Sequence, residues 1–344
     1  MRLTQLQRLT STVHPNQRQS LRYGATKPTM TDPMTRRHLL GAGLALSSAG
    51  AALAATPKPL AAWATAEQTR ASAPGAAVAP VAELPGHTAH TRFAMNLEMW
   101  WGDRPFVERI RAAAALGFTD IEFWNHDGKD LTAIAEVCAE LGVSVSQFTA
   151  WGFVPGMNDP AHHDDFERAI ERACEVAQIV GAPMATVVGG NDQPGMSQKE
   201  MHENITSALQ RVAPIVESAE LMLILEPMNI RVDHKGHCLY GSDPALAICR
   251  GVNSPMVKIN WDLYHMQISE GDLVRRLEAG FDQVGYLQLA DNPGRREPGT
   301  GEIYYNRVLK AAWDLGYRKP VGVECWPSIA EEEAAWALHR ADQW

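Results

Sequence analysis

Cysteines are few in this chain, and their spacing matches no metal-binding or disulfide pattern. Five occur in 344 residues, and no two of them form a Cys-x-x-Cys pair. The sequence therefore indicates neither a zinc site nor a disulfide framework. Most of the five lie in apolar segments, where a free buried thiol is the expected state. A Gly-x-Ser-x-Gly motif is also absent, so the chain offers no evident catalytic nucleophile.

Positive charge is scarce outside the N-terminal region. The formal net charge is −9, and residues 1–54 contain seven Lys or Arg and one Asp, which leaves −15 for the rest of the chain. An acidic body of this kind repels phosphate backbones, so nucleic acid is not an expected partner. The apolar share of 45% and the charged share of 21% are ordinary for a globular protein, and the length fits one α/β barrel or two smaller domains.

Long apolar runs are missing as well, so no membrane span is expected. The apolar stretch at residues 39–53 is about 15 residues long, which is shorter than a spanning helix needs. It follows a twin-arginine pattern at residues 35–41 and ends in the small-x-small sequence at residues 52–54. This layout predicts a cleavable twin-arginine export signal in residues 1–54 and a periplasmic location. The alternative is a chance Arg-Arg pair before an Ala-rich linker.

The rest of the chain divides into a linker and one domain. Residues 55–90 are rich in Ala, Pro and Thr and lack a periodic pattern, which predicts a disordered linker. Residues 91–344 alternate strand-like apolar runs with segments of helical periodicity. Eight such units in about 250 residues predict an α/β fold, a single-domain (β/α)8 TIM barrel. A doubly wound sheet is the second choice, because no Gly-rich phosphate loop follows the first strand.

The predicted elements can be placed by residue. The strands are 93–97, 118–123, 143–148, 184–188, 221–225, 256–261, 284–289 and 321–324. The helices are 105–116, 131–141, 166–180, 198–219, 243–250, 273–279, 305–315 and 329–340. Ser242 is expected to cap the fifth helix, and Pro214 to kink the fourth or start a turn of it.

Oxygen-bearing side chains stand at or near the ends of the last four predicted strands. These residues are Glu226, Asp262, Gln288 and Glu324, at intervals of 36, 26 and 36 residues. Any one of them could be polar simply because a strand end reaches solvent. In a barrel, however, all four would converge on one face, where they would suit a hard divalent cation. Two glutamates facing each other across such an ion suit proton transfer between neighbouring carbons through an enediolate.

Two stretches are distinctive: residues 260–268, with an Asp-x-x-His pattern, and residues 287–303, with Gln, Pro-Gly-Arg and Gly-Glu. They resemble the hydroxypyruvate isomerase family of the xylose isomerase-like barrels, which also include 2-oxo-tetronate isomerases and ketose 3-epimerases. The resemblance covers about residues 92–336. Arg296 departs from it, since a histidine is expected there. The adjacent Trp100 and Trp101 are also unusual and are expected to reshape the pocket.

The resemblance implies a role for each site residue. It implies that Glu226 and Glu324 are the acid/base pair and that both, with Asp262 and Gln288, hold a divalent metal ion, Mg²⁺ or Mn²⁺. It also implies that His265 and Arg295 contact the substrate. The alternatives are that His265 caps a helix and that Arg295 belongs to a solvated loop.

The activity implied is the isomerisation of hydroxypyruvate to 2-hydroxy-3-oxopropanoate, with a small-molecule substrate as partner. The alternative is an epimerase or isomerase that acts on a free keto-sugar, a 2-oxo-tetronate or an inosose. The predicted export of the protein favours this alternative. A non-catalytic exported sugar-binding barrel would not need two facing glutamates. A metal-dependent endonuclease would need more histidine ligands and a basic face. Barrels of this kind often form homodimers, although no interface is evident in the sequence.

Overall fold

The computed structural model describes residues 83–344, in which eight parallel strands close into a barrel in chain order, with β1 paired to β8. The strands are β1 Phe93–Asn96, β2 Asp120–Asn125, β3 Ser144–Trp151, β4 Met184–Val188, β5 Met222–Glu226, β6 Val257–Asp262, β7 Val284–Leu289 and β8 Val321–Val323. They are mostly buried, which explains why they are apolar runs rather than alternating patterns. The predicted TIM barrel is confirmed.

Helices on the outside of the barrel connect the strands. They are α1 Phe106–Ala115, α2 Leu131–Leu141, α3 His163–Val180, α4 Gln198–Ala219, α5 Ser242–Val252, α6 Leu263–Ser269, α7 Leu273–Gly280, α8 Tyr305–Asp314 and α9 Glu331–Ala341. The helix α3 shows why the predicted helices agree with the observed ones: Phe166, Ile170 and Ala173 repeat at helical spacing and are buried. Gly181 then ends the helix at a φ of 70°, a left-handed conformation that favours glycine.

The predicted cap at Ser242 was wrong. Ser242 is the first residue of α5 rather than its cap, because Gly241 precedes the helix with a φ of 75°. The Ser242 backbone N–H donates to Glu270 Oε2 at 3.1 Å, so a distant carboxylate satisfies this helix end. Pro214 lies inside α4, which continues through it to Ala219 as one helix.

The predicted signal in residues 1–54 and most of the predicted linker lie outside the described residues. The described part of the linker, residues 83–90, contacts the barrel: Gly86 N donates to Leu116 O at 2.9 Å, and the His90 ring stacks on Trp344. None of the helices in residues 83–344 combines the length and hydropathy needed to cross a membrane. All five cysteines are free, and four are buried, as expected.

Candidate active site

Three carboxylates and a histidine converge at the C-terminal end of the barrel. Glu226 is the last residue of β5, Asp262 is the last residue of β6, and Glu324 directly follows β8. Their oxygens and a ring nitrogen of His265 lie within 4.8 Å of one another, and all four residues are buried. The barrel thus brings three of the four predicted metal ligands into one cluster, because its strands share the same direction.

Gln288, the fourth predicted ligand, lies in β7 beside Asp262 of β6. Its Nε2 donates to Glu122 Oε1 at 2.8 Å, and its Oε1 accepts from Asn260 Nδ2 at 2.6 Å. These bonds fix the orientation of the amide and leave one lone pair of Oε1 free. Gln288 lines the same cavity as the carboxylates, so it remains a candidate ligand.

Glu122 is a functional candidate that sequence reasoning missed. It lies buried in β2, where its Oε1 accepts hydrogen bonds from Gln288 and from Asn96 Nδ2, the latter at 3.0 Å. Burial, and then the charge of Glu324, raise the pKa of Glu122 to about 7. Gly322 of β8 provides the space, since a Cβ there would lie 2.3 Å from Glu122 Oε2. A single acid inside an apolar strand was the available sequence signal.

The two predicted catalytic glutamates have unlike surroundings. Glu324 accepts hydrogen bonds from Trp124 Nε1 at 2.8 Å and from Arg295 Nη2 at 2.6 Å. No described side chain donates a hydrogen bond to Glu226, and His265 Nε2 lies 3.8 Å from its Oε1. Burial, followed by the charges of the other carboxylates, raises the pKa of Glu226 well above its usual value. The pair therefore offers one carboxylate that accepts two hydrogen bonds, one of them from a cation, and one that favours keeping its proton.

Of the two adjacent arginines, Arg295 enters the cavity and Arg296 does not. The Arg295 guanidinium contacts Glu324, lies 3.7 Å from Asp262 Oδ2 and packs over the Tyr264 ring at 5.2 Å. Its backbone has a φ of 54°, in the left-handed region that non-glycine residues rarely adopt. Arg296 instead donates to Pro327 O at 3.3 Å. The structure thus places the predicted substrate-binding arginine in the cavity, already paired with a carboxylate.

His265 lies within α6, a helix that was not predicted. It does not cap this helix, because the Asp262 side chain does so by accepting from Tyr264 N at 2.8 Å. The imidazole is buried and lines the cavity. Burial, and then the charge of Arg295, lower the pKa of His265 well below its usual value, so the ring is neutral at pH 7.

These residues fit a divalent metal ion. Asp262 Oδ2 is buried without a hydrogen-bond partner among the described residues. Burial, and then the charge of Glu324, raise the pKa of Asp262 to about 8. A divalent cation would offset the desolvation and mutual repulsion of the crowded carboxylates, and oxygen donors suit Mg²⁺ or Mn²⁺.

The cavity has a volume of about 340 Å³, near the lower end of the range for small-molecule sites. Trp124 and Phe153 give it aromatic walls, and His234 also lines it. Trp100 and Trp101 are buried in the core and are not among the lining residues, so neither forms a wall of this cavity.

His237, behind the Phe153 wall, should make stability depend on pH. Burial lowers the pKa of His237 from 6.5 to about 4, although its Nδ1 lies 2.8 Å from Leu239 O, to which an Nδ1–H can donate. Between these values the unfolded chain binds more protons than the folded chain, so stability falls as the pH drops through this window. In metal-free buffer, denaturant unfolding should show that lowering the pH from 7.5 to 5 costs the wild type about 2 kcal/mol more than the variant His237→Asn. Equal losses would contradict this.

The barrel with its acidic cluster defines a class of sugar-isomerase-like enzymes. The family model described as "Xylose isomerase-like TIM barrel" matches residues 110–340, and the chain belongs to this family. The chain is 31% identical over 247 residues to the hydroxypyruvate isomerase of Escherichia coli K12, covering 70% of this chain and 95% of that protein. It is 30% identical over 248 residues to the 2-oxo-tetronate isomerase of Cupriavidus necator, covering 69% and 93%. The predicted family and the prediction of an isomerase are confirmed.

A solved structure shows the same architecture. It is a Brucella melitensis protein described as an AP endonuclease of family 2, with 27% identity and a TM-score of 0.67. The match covers 71% of this chain and 96% of that one.

Proposed function

We propose that this isomerase converts hydroxypyruvate to 2-hydroxy-3-oxopropanoate, or acts on a hydroxy-keto acid of the same class. The observation that carries the proposal is the pair of buried glutamates, Glu226 and Glu324, on one small cavity beside Asp262. The relatives named above support the choice of substrate. The acidic body of the chain, −15 outside residues 1–54, argues against a polyanionic nucleic acid substrate.

Each glutamate has a distinct task in the proposed mechanism. Glu324, which accepts hydrogen bonds from Trp124 and Arg295, acts as the base and removes a proton from the hydroxymethyl carbon next to the carbonyl. The electron pair of the broken C–H bond forms the carbon–carbon double bond of an enediolate. Glu226, which favours its neutral form, then donates a proton to the former carbonyl carbon. The hydroxyl proton moves to the other oxygen, so the product has the composition of the substrate.

A divalent metal ion is proposed as the cofactor, with Mg²⁺ or Mn²⁺ as the best match to the donors. Glu226, Asp262, Gln288 and Glu324 would hold it. When bound, such an ion polarises the carbonyl of the substrate and offsets the negative charge of the site. Arg295 supplies the remaining positive charge. It lies close to Asp262 and Glu324, so it could bind the carboxylate of a substrate held next to these two residues.

Solvent exchange tests this proposal. The protein is incubated in deuterium oxide with Mn²⁺ or Mg²⁺ and with hydroxypyruvate, 2-oxo-tetronates, ketohexoses or inososes in parallel. Deuterium should appear on the carbon next to the carbonyl of hydroxypyruvate, and the isomer should accumulate. If a folded, metal-supplemented protein exchanges none of these compounds, the proposal fails and a sugar-binding barrel becomes the better account.

A keto-sugar substrate is the second candidate, and one observation favours it. A further cavity of about 420 Å³ adjoins the first, and Asn125, Thr149 and Gly152 line both. Polar side chains, among them Asp127 and Arg172, surround it and could bind the hydroxyl groups of a longer chain. Faster exchange of a ketohexose than of hydroxypyruvate would select this candidate.

Trp124 should contribute to the rate through its N–H group. The variant Trp124→Phe keeps an aromatic wall but removes the hydrogen bond to Glu324, so kcat should fall by about tenfold or more. Trp151→Phe is the matched control, because Trp151 Nε1 is buried without a partner among the described residues. Steady-state kinetics should show normal kcat for Trp151→Phe. An equal loss in both variants would assign the effect to packing.

Export to the periplasm is also part of the proposal, supported by the twin-arginine pattern at residues 35–41. Cell fractionation of the full chain tests it, with replacement of Arg36 and Arg37 by lysine as the control. Recovery of the wild type in the cytoplasm alone would contradict it. The homodimer stays a prediction that a sedimentation measurement can decide.

A further inference from the structure

We infer that Asn229 is a positioning residue that fixes the tautomer of His265, so that the His265 Nε2–H donates to the substrate oxygen gaining negative charge. Asn229 lies three residues beyond Glu226 and is fully buried. Its Nδ2 is 2.7 Å from His265 Nδ1. The inference rests on the proposed function for the role of the donated hydrogen bond, but not for the tautomer itself.

The orientation of the Asn229 amide follows from its other bonds. Two backbone N–H groups donate to Asn229 Oδ1, Val232 N at 3.0 Å and Asp233 N at 3.1 Å. The opposite end of the amide, Nδ2, is 2.7 Å from Asp233 Oδ2, which can only accept from it when ionised. The oxygen and nitrogen of the amide are therefore assigned by three separate contacts, independently of His265. Its second N–H is left to donate to His265.

This assignment determines which nitrogen of His265 carries the proton. A ring nitrogen that accepts from an amide N–H has no proton of its own, so the neutral ring is protonated at Nε2. A doubly protonated ring would set an N–H of His265 against an N–H of Asn229, which this geometry excludes. Asn229 therefore holds the imidazole in one neutral tautomer.

The protonated nitrogen faces the reaction cavity. His265 Nε2 is buried without a partner among the described residues, 3.8 Å from Glu226 Oε1 and 3.6 Å from Asp262 Oδ2. Those distances are too long for direct hydrogen bonds and leave the Nε2–H for a substrate oxygen between them. With its proton on Nε2, His265 offers no lone pair there, although it belongs to the cluster that could hold a metal. The metal ligands are thereby limited to the oxygen donors.

A double variant can reverse the tautomer without removing the network. In Asn229→Asp combined with Asp233→Asn, residue 229 loses its amide donor and its carboxylate accepts both from residue 233 and from a protonated His265 Nδ1. The backbone bonds from Val232 and residue 233 are kept, because an oxygen remains in place of Asn229 Oδ1. The single variant Asp233→Asn is the matched control, since Asn229 then still donates to His265.

Nitrogen-15 NMR of histidine-labelled protein reads the tautomer directly, and a His265→Gln sample assigns the His265 signals. The wild type and Asp233→Asn should show Nε2 protonated and Nδ1 bare, and the double variant should show the reverse. A wild type with Nδ1 protonated, or a double variant with an unchanged tautomer, would overturn the inference. The wild-type spectrum decides the tautomer even if the double variant does not fold.

Two functional measurements should depend on the tautomer of His265. In the double variant, kcat should fall by about 100-fold with little change in KM, because the lost donor acts on charge that develops during the reaction. Zn²⁺ binding, measured by calorimetry, should tighten by about tenfold, because Nε2 can now act as a ligand. Unchanged kcat in a variant whose tautomer is reversed would refute the donor role. If the wild type exchanges no compound in the panel, the proposed function fails, yet the NMR and Zn²⁺ results still decide the tautomer.

Discussion

Replacing Glu324 with glutamine should lower both isomerisation and deuterium exchange into substrate by about 1,000-fold, because the variant lacks the base that starts the reaction. Glu226→Gln should behave differently. It should lose isomerisation to a similar extent but keep measurable exchange into the substrate, since Glu324 can still remove the proton and return one from solvent. Proton NMR in deuterium oxide follows both processes in one sample.

The different results expected for the two variants are what make this a test of assigned roles. Glu270→Gln is the control, because Glu270 is a largely buried carboxylate that contacts Ser242 and Arg276 away from the cavity. It should exchange at the wild-type rate. If Glu226→Gln abolished exchange and Glu324→Gln retained it, the two roles would have to be reversed. Normal isomerisation in either variant would exclude the two-glutamate mechanism.

The second large effect is expected at Arg295. Arg295→Met removes the cation from a buried group of carboxylates, of which Glu324 is 2.6 Å away. At pH 8 without metal, the free energy of unfolding should fall by about 3 kcal/mol, because the remaining charges are left unpaired in a region with little water. Added Mn²⁺ should recover part of this loss, because a divalent cation restores positive charge to the site. Denaturant titrations with and without the metal measure both effects.

Arg296 provides the matched control for this prediction. It is the next residue in the same loop, but it is exposed and bonds to the carbonyl oxygen of Pro327. Arg296→Met should change the free energy of unfolding by less than about 0.5 kcal/mol. Activity of Arg295→Met should also fall, by about 100-fold, because Glu324 loses a charged hydrogen-bond donor that positions it and the cavity loses its cation. Similar effects in the two variants would mean that loop structure, rather than charge pairing, is responsible.

The barrel itself was predictable from local patterns. Strands that are buried on both faces are continuous apolar runs, and β4 was located to the residue, at Met184–Val188. The helix α6 was missed because it follows β6 without a loop, with Asp262 ending the strand and capping the helix. It is seven residues long, and five of them are buried, so its sequence lacks the amphipathic pattern that identifies a surface helix.

Site residues were predictable where the signal was local. Glu226, Asp262 and Glu324 each close an apolar run, and that position alone identifies them as candidates in a barrel. Trp124, Glu122 and Asn229 gave no comparable signal. Their importance depends on which atoms they contact, and those contacts come from other strands and loops.

The sequence by itself determined the strand order, the face of the barrel on which the acids gather, and the chemical character of that face. Only the tertiary structure decided which donors meet which acids. Trp124 and Glu324 are 200 residues apart, and they form a hydrogen bond because β1 pairs with β8 and so brings β2 near the end of the chain. In the same way, only the conformation of the loop after β7 decides that Arg295 lines the cavity while the adjacent Arg296 bonds to Pro327 O. Barrel closure and loop conformation are properties of the whole chain, which no local pattern encodes.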